Sequence, residues 1–209
     1  MKIHKQIKAT IDNLDATNIS SERKEVLQSL IDFVQTKVDT NQAANLNFIC
    51  THNSRRSHLS QIWAQTLASY HNIHNVTTYS GGTEATAMFP KIAETLIKAG
   101  FSIEKLSQEN NSVYAIKYGE NAHPIIGFSK KYAAAFNPTN GFGAIITCSQ
   151  ADKGCPFIFG AEKRIPITYE DPKLFDGKEN QAEKYEERSI QIATEMLYVF
   201  SSIKKIDKR

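Results

Sequence analysis

Asn47–Trp63 reads NFICTHNSRRSHLSQIW. An apolar run ends at Cys50, a polar stretch with two arginines follows, and from Ser57 onward Leu59, Ile62, Trp63, Leu67 and Tyr70 fall on one helical face. This pattern predicts a buried strand, a tight loop and a helix. Such a loop can turn its backbone N–H groups inward as an anion nest, and the helix adds unpaired N–H groups and the positive end of its dipole. Arg56, close to the expected helix start, carries a planar fork suited to two oxygens of a tetrahedral oxyanion. The same positive surroundings favour a thiolate, the nucleophilic form of cysteine, which makes Cys50 the candidate nucleophile. Ser57 can donate a hydrogen bond to that sulfur or cap the helix. Asn53 can lock the loop or simply open an asparagine turn. Thr51, His52, Ser54 and Arg55 complete the loop as candidate oxyanion-binding residues.

Outward from this stretch, the pattern alternates. NVTTYSGG reads as a strand ending in a glycine turn, and PKIAETLIKAGF as a helix with proline at its start and glycine beyond its end. SVYAIKYG and HPIIGFS read as two strands joined at ENA, and GFGAIITCS as a buried strand ending at Cys148. RIPITYEDP leads into a proline-marked loop. The segment from about Asn180 to Ser202 is helical, with Ile190, Ala193, Leu197 and Phe200 on one face. Strands alternating with helices predict an α/β fold, a three-layer open and mostly parallel sheet covered on both sides. In such sheets the active crevice lies at the carboxyl ends of the strands. Cys50 and Cys148 both fall at such ends, and Asp171 follows a third candidate strand.

Residues 1–42 differ. Ile3, Ile7, Ile11 and Leu14, then Leu27, Ile31, Val34 and Val38, recur at helical spacing around the turn TNISSE, where Ser20 or Ser21 can cap the second helix. The expected organisation is a helical extension over 1–42 and an α/β domain over 43–209. The extension offers a surface for packing on the domain or for a homodimer.

Composition narrows the function classes. The 209 residues are 41% hydrophobic and 22% charged, ordinary for a globular chain, and the net charge of +3 gives no footprint for nucleic acid. No stretch approaches the ~20 apolar residues of a membrane span, and charges are scattered through the first fifteen residues, so a cytoplasmic protein is expected. Three cysteines, Cys50, Cys148 and Cys155, are too few and too unevenly spaced for a disulfide framework. His71 and His74 stand at a helix end without an acidic companion, so no metal site is expected.

The run C-x5-R-S at Cys50–Ser57 resembles the phosphate-binding loop of low-molecular-weight protein tyrosine phosphatases and of the arsenate reductases that share their fold. TYSGGTEATAMFPKIAETLIKAGF is similar to the family's second strand, serine–glycine turn and second helix. YEDPKLFDG is similar to its aspartate–proline loop, and the final helix also fits. The likeness spans 47–101 and 143–200; residues 1–42 and much of 105–140 have no counterpart. The resemblance implies a phosphatase-like fold and gives Asp171, before Pro172, the role of general acid that protonates the departing oxygen. It also reads TCSQADKGCP as the redox segment of thioredoxin-coupled arsenate reductases. Cys148 would then attack Cys50, and Cys155 would attack Cys148 across a mobile loop. Thioredoxin or another external dithiol would serve as reductant, with no bound cofactor. The implied substrate is a small oxyanion: arsenate, phosphate or sulfate.

This chain departs from the family in places. His52 stands where glycine is frequent, Arg55 where many arsenate reductases have cysteine, and Gln61 where some relatives have a glutamate of a potassium site, so no bound potassium is expected. Two rivals stand beside the reductase. One is phosphotyrosine phosphatase activity by the same loop and acid, with Tyr169 and Phe175 gripping the phenyl ring. The other is a non-catalytic oxyanion-binding protein. Cys148 and Cys155 favour the reductase.

Overall fold

The computed structural model describes residues 2–154 and 157–205. In chain order it runs through α1 (Lys5–Asp12), α2 (Ser21–Asp39), β1 (Ala44–Cys50), α3 (Arg56–Tyr70), β2 (Val76–Gly82) and α4 (Pro90–Lys98). There follow β3 (Ser102–Lys105), β4 (Tyr114–Lys117), β5 (Ile125–Gly127), β6 (Phe142–Ile146), α5 (Ser149–Gly154), β7 (Ala161–Pro166) and α6 (Gln181–Ser201).

β2, β1, β6 and β7 form a parallel sheet in that order, with Cys50 level with Gly82 and Ile49 level with Ile146. Parallel strands buried on both faces carry continuous apolar runs, which is why LNFIC and GFGAII were readable as strands. Alternate side chains divide between two cores. Leu46, Phe48 and Ile145 join the larger one, beneath α2, α3 and α6. Ile49, Ala144 and Ile146 join a smaller one with Cys50, Cys148, Ala151 of α5 and Ile158. Trp63 anchors the larger core: its Nε1 donates to Ser189 Oγ on α6 at 2.9 Å and its ring meets Phe101 edge-on, 5.1 Å between centroids. No helix among the described residues is long and apolar enough to cross a membrane.

The N-terminal helices belong to the same larger core. Ile7, Leu27, Leu30 and Val34 are fully buried in it, and α2 packs on β1, β7 and α6. Ser20 caps α2 by accepting from Arg23 N at 3.2 Å.

Two features differ from the sequence expectation. β4 and β5 do not join the main sheet; with β3 they form a second, antiparallel sheet in the order β3-β4-β5. β3 is mostly exposed and charged, so it lacks the apolar alternation that marks a half-buried strand. Ser149–Gly154, expected as an irregular mobile loop, is a short helix with Ala151 buried and the Arg164 guanidinium on the Asp152 carboxylate and carbonyl at 2.6 and 2.7 Å.

Candidate active site

β1 delivers Cys50 to the carboxyl edge of the sheet, and α3 begins six residues later at Arg56. The loop between them has its carbonyls tied outward. Those of Cys50 and Thr51 accept from Thr83 N and Glu84 N at 3.1 and 2.8 Å. That of His52 accepts from Ser129 Oγ at 2.9 Å, that of Asn53 meets His58 Nε2 at 2.9 Å, and that of Ser54 accepts from Phe89 N at 3.0 Å. A trans peptide points its N–H opposite to its carbonyl, so the amides that follow these carbonyls point away from the partners just named. Asn53 has φ 45°, a left-handed conformation that asparagine tolerates better than most side chains. Gly82 lets the neighbouring strand end press against the loop: a Cβ there would stand 2.6 Å from Thr51 O and 2.7 Å from Asn53 N.

Asn53 Nδ2 donates to Ser57 Oγ at 2.9 Å, and Ser57 Oγ lies 3.1 Å from Cys50 Sγ, placed to donate its proton when that sulfur is a thiolate. Asn53 Oδ1 in turn accepts from Lys130 N at 2.9 Å. Ser57 does not cap α3; Arg55 occupies the cap position with no side-chain cap bond. Behind the loop, His58 is fully enclosed, with Nε2 on Asn53 O and Nδ1 3.4 Å from Ser80 Oγ. Burial, helped by the Lys130 charge, lowers its pKa to about 3, so it is a neutral imidazole. Burial also lowers Lys130 to about 8; its Nζ sits on the rings of Phe128 and Phe136.

Arg56 is buried beside Cys50. Its Nη1 donates to Tyr169 O at 2.8 Å and its Nη2 to Asp171 Oδ2 at 2.5 Å, while Nε has no partner among the described residues. Asp171 also accepts from Lys173 N at 3.1 Å, capping the turn that starts at Pro172. Its turn-opening role and its place at the site therefore coexist. The Arg55 side chain turns elsewhere: Nη2 to Asp176 at 2.6 Å, Nε to Tyr185 Oη at 2.6 Å, and the guanidinium 4.1 Å over the Phe89 ring. Burial pushes the Asp176 carboxyl up, but the Tyr185 hydroxyl and Arg55 together hold it below the ordinary range. Arg55 thus ties the loop to Tyr185 of α6 and to Asp176 through Nε and Nη2. Thr51, His52, Ser54 and Arg55 line the cleft with Cys50, Arg56 and Asp171. His52 is half exposed, 3.6 Å from Glu84.

Cys148 follows β6 and is fully buried in the smaller core with Cys50. Its Sγ lies 3.4 Å from Thr51 Oγ1, next in chain to Cys50, and accepts from Ala151 N at 3.3 Å. Cys155 lies outside the described residues. A wider groove of about 480 Å³ opens from the cleft, lined by His52, Gln150, Glu170, Asp171, Lys173 and Leu174. Tyr169, expected to face a substrate ring, is 5% exposed, with Arg23 over its ring; its carbonyl serves the site instead. Gln61 covers the open edge of β2, donating from Nε2 to Thr78 O at 3.1 Å. Sequence reasoning missed Ser129 and Lys130, which brace the loop from a segment that carries no local motif, and His58, which directly follows the C-x5-R-S run but stands outside its pattern.

No protein-family model matches the chain, and no curated protein matches its sequence. Among solved structures, the chain is similar to a low-molecular-weight phosphotyrosine phosphatase from Vibrio cholerae O395, with TM-score 0.52 and 14% identity over 77% of this chain and 96% of that one. An arsenate reductase in a phosphate-binding state gives TM-score 0.49 and 16% identity over 77% and 99%. The YwlE arginine phosphatase from Geobacillus stearothermophilus gives 0.47 and 14% over 76% and 91%. The first likeness establishes the fold: an α/β protein of the low-molecular-weight phosphatase type, here carrying N-terminal helices.

Proposed function

We propose that the chain is an enzyme of oxyanion chemistry, an arsenate reductase with Cys50 as nucleophile and Cys148 as the first electron donor. The observation that carries this reading is the Cys148 sulfur, buried in one apolar cluster with Cys50 and hydrogen-bonded to Thr51 beside it. Phosphate-ester hydrolysis needs no second thiol at that place.

Arsenate enters the loop, meets its amides and takes Arg56 from Asp171. Released by Arg56, Asp171 takes up a proton from solvent; the Cys50 thiolate attacks arsenic, and Asp171 passes that proton to the departing hydroxyl, which leaves as water. Cys148 then attacks the Cys50 sulfur. A Cys50–Cys148 bond forms, the sulfur–arsenic bond breaks, and its electron pair stays on arsenic, which departs as arsenite. Cys155 attacks Cys148, Cys50 leaves as thiolate, and an external dithiol such as thioredoxin reduces Cys148–Cys155. The second exchange requires Cα atoms within about 7 Å, and α5, Ser149–Gly154, is the segment that joins the two cysteines.

The deciding experiment is thiol mapping by mass spectrometry after one arsenate turnover. A Cys50–Cys148 link in Cys155→Ser and a Cys148–Cys155 link in the unmodified chain are expected. Arsenate left unreduced, with an aryl phosphate hydrolysed, overturns the reductase in favour of the phosphatase, whose substrate would lie in the groove by Leu174. A Cys50 inert toward iodoacetamide near neutral pH leaves only oxyanion binding.

A further inference from the structure

Arg23 carries a contact from the N-terminal helices to the loop of Tyr169 and Asp171. Arg23, in the first turn of α2, donates to Glu195 of α6 through two parallel bonds, Nε to Oε1 at 2.9 Å and Nη2 to Oε2 at 2.7 Å. Gln191 holds the same carboxylate at 3.2 Å. The Arg23 guanidinium lies 5.0 Å over the Tyr169 ring. Tyr169 is tied on its other side by its N–H to Thr147 O at 3.1 Å, and its carbonyl receives Arg56 Nη1. Burial, with the Glu195 carboxylate beside it, pushes the Tyr169 phenol well up, so the ring stays neutral beneath the cation.

A path of direct contacts therefore runs from the extension to the oxyanion-binding arginine: Glu195, Arg23, Tyr169, Arg56. Packing alone does not call for this arrangement. A buried ion pair is often no more stabilising than apolar residues of the same volume, whereas a fork held at two points fixes an orientation. An arginine plane over an aromatic face fixes the ring in turn. The carbonyl of the same residue aims the Arg56 fork.

We propose that Arg23 and Glu195 are positioning residues for the oxyanion site, holding Tyr169 so that its carbonyl sets the orientation of Arg56. The proposal rests on Cys50 and Arg56 forming that site, and it holds for reductase and phosphatase alike.

The test compares alkylation of Cys50 by iodoacetate, an anion that Arg56 recruits, with alkylation by neutral iodoacetamide, mapped at Cys50 by mass spectrometry. The full-length chain, Arg23→Met, Arg23→Lys and Glu195→Gln are used, with circular dichroism as the check on folding. The loss of one oriented hydrogen bond at Arg56 predicts that the iodoacetate-to-iodoacetamide rate ratio falls about fivefold or more in Arg23→Met, and that Arg23→Lys, which keeps the charge but lacks the planar fork, recovers only part of it. A purely structural role lowers the melting temperature but leaves this ratio alone. An unchanged ratio in folded Arg23→Met overturns the proposal. If that variant does not fold, an unchanged ratio in the near-isosteric Glu195→Gln does so. Should the unsubstituted chain show no preference for iodoacetate and no protection by inorganic phosphate, the oxyanion site itself is wrong and the proposal falls with it.

Discussion

Asn53 combines three things that few side chains can: a positive φ, a donor to Ser57 and an acceptor for Lys130 N. Its effect on the chemistry passes through Ser57, whose hydroxyl is placed to donate to a Cys50 thiolate. A hydrogen bond to a charged group contributes about 1.5–3 kcal/mol, so Ser57→Ala should slow iodoacetamide alkylation of Cys50 at pH 7 by roughly tenfold or more. An unchanged rate would mean that the serine proton points elsewhere. His58 gives a second residue-level expectation, in pH. Its folded pKa of about 3 lies below the unfolded value of about 6.5, so between those limits the unfolded chain binds the extra proton. The stability held above pH 6.5 is lost as pH falls toward 3, by several kcal/mol at roughly 1.4 per pKa unit. Urea titrations across this window should show the slope, and His58→Gln should flatten it. That Cys50, Arg56 and Asp171 share one cleft was legible because each lies in a short local pattern. Asn53's partner Lys130 was not, because nothing in FSKKY announces a lysine placed behind a loop far upstream.

At the scale of elements, the site exists because β1, β2 and β6 end level with one another and one tight loop fits between them. Gly82 is where that fit is closest. An added Cβ would stand 2.2 Å from Glu84 O as well as against Thr51 O and Asn53 N, and all three neighbours are backbone. Gly82→Ala must therefore displace the anion loop or the β2 end, at a cost of about 1–3 kcal/mol. A lower urea midpoint together with weaker phosphate binding is the expected pair. A loss of stability with phosphate affinity unaltered would show that the displacement falls on the β2–α4 connection. Elements that bury an apolar run or face were readable from periodicity: β1, α3, β2, α4, β6 and α6. β3 was hidden because it is exposed and charged, and α5 because a short, mostly polar run ending in glycine looks like a loop. The acid loop is a different case. YEDP was legible, but what holds it was not: Arg56, Arg55 and Arg23 bind Tyr169, Asp171 and Asp176 across more than a hundred residues of chain.

For the whole molecule, the question is whether residues 1–42 form a separate unit or a wall of the main core. Sequence periodicity supplied the two helices but could not say what they face, because an amphipathic helix packs equally well on a domain or a partner. The packing answers in favour of one body. Leu27, Leu30 and Val34 of α2 and Ile7 of α1 are fully buried with Leu46 of β1, Trp63 of α3 and Met196 of α6. Phe33 also lies under Gly143 of β6, where a Cβ would come within 3.0 Å of its ring. A core shared in this way unfolds cooperatively, so calorimetry should show a single transition. Leu30→Ala removes a fully buried side chain and should cost about 2–5 kcal/mol. For a chain of this length, each kcal/mol moves the midpoint by roughly 2–4 °C. The shift should appear equally in far-ultraviolet circular dichroism and in the fluorescence of Trp63, which lies on α3 rather than on the substituted helix. Two separated transitions, with the tryptophan signal unmoved by the substitution, would make the extension an independent unit. The contact from Arg23 to Tyr169 would then join two bodies that unfold separately, instead of two parts of one core.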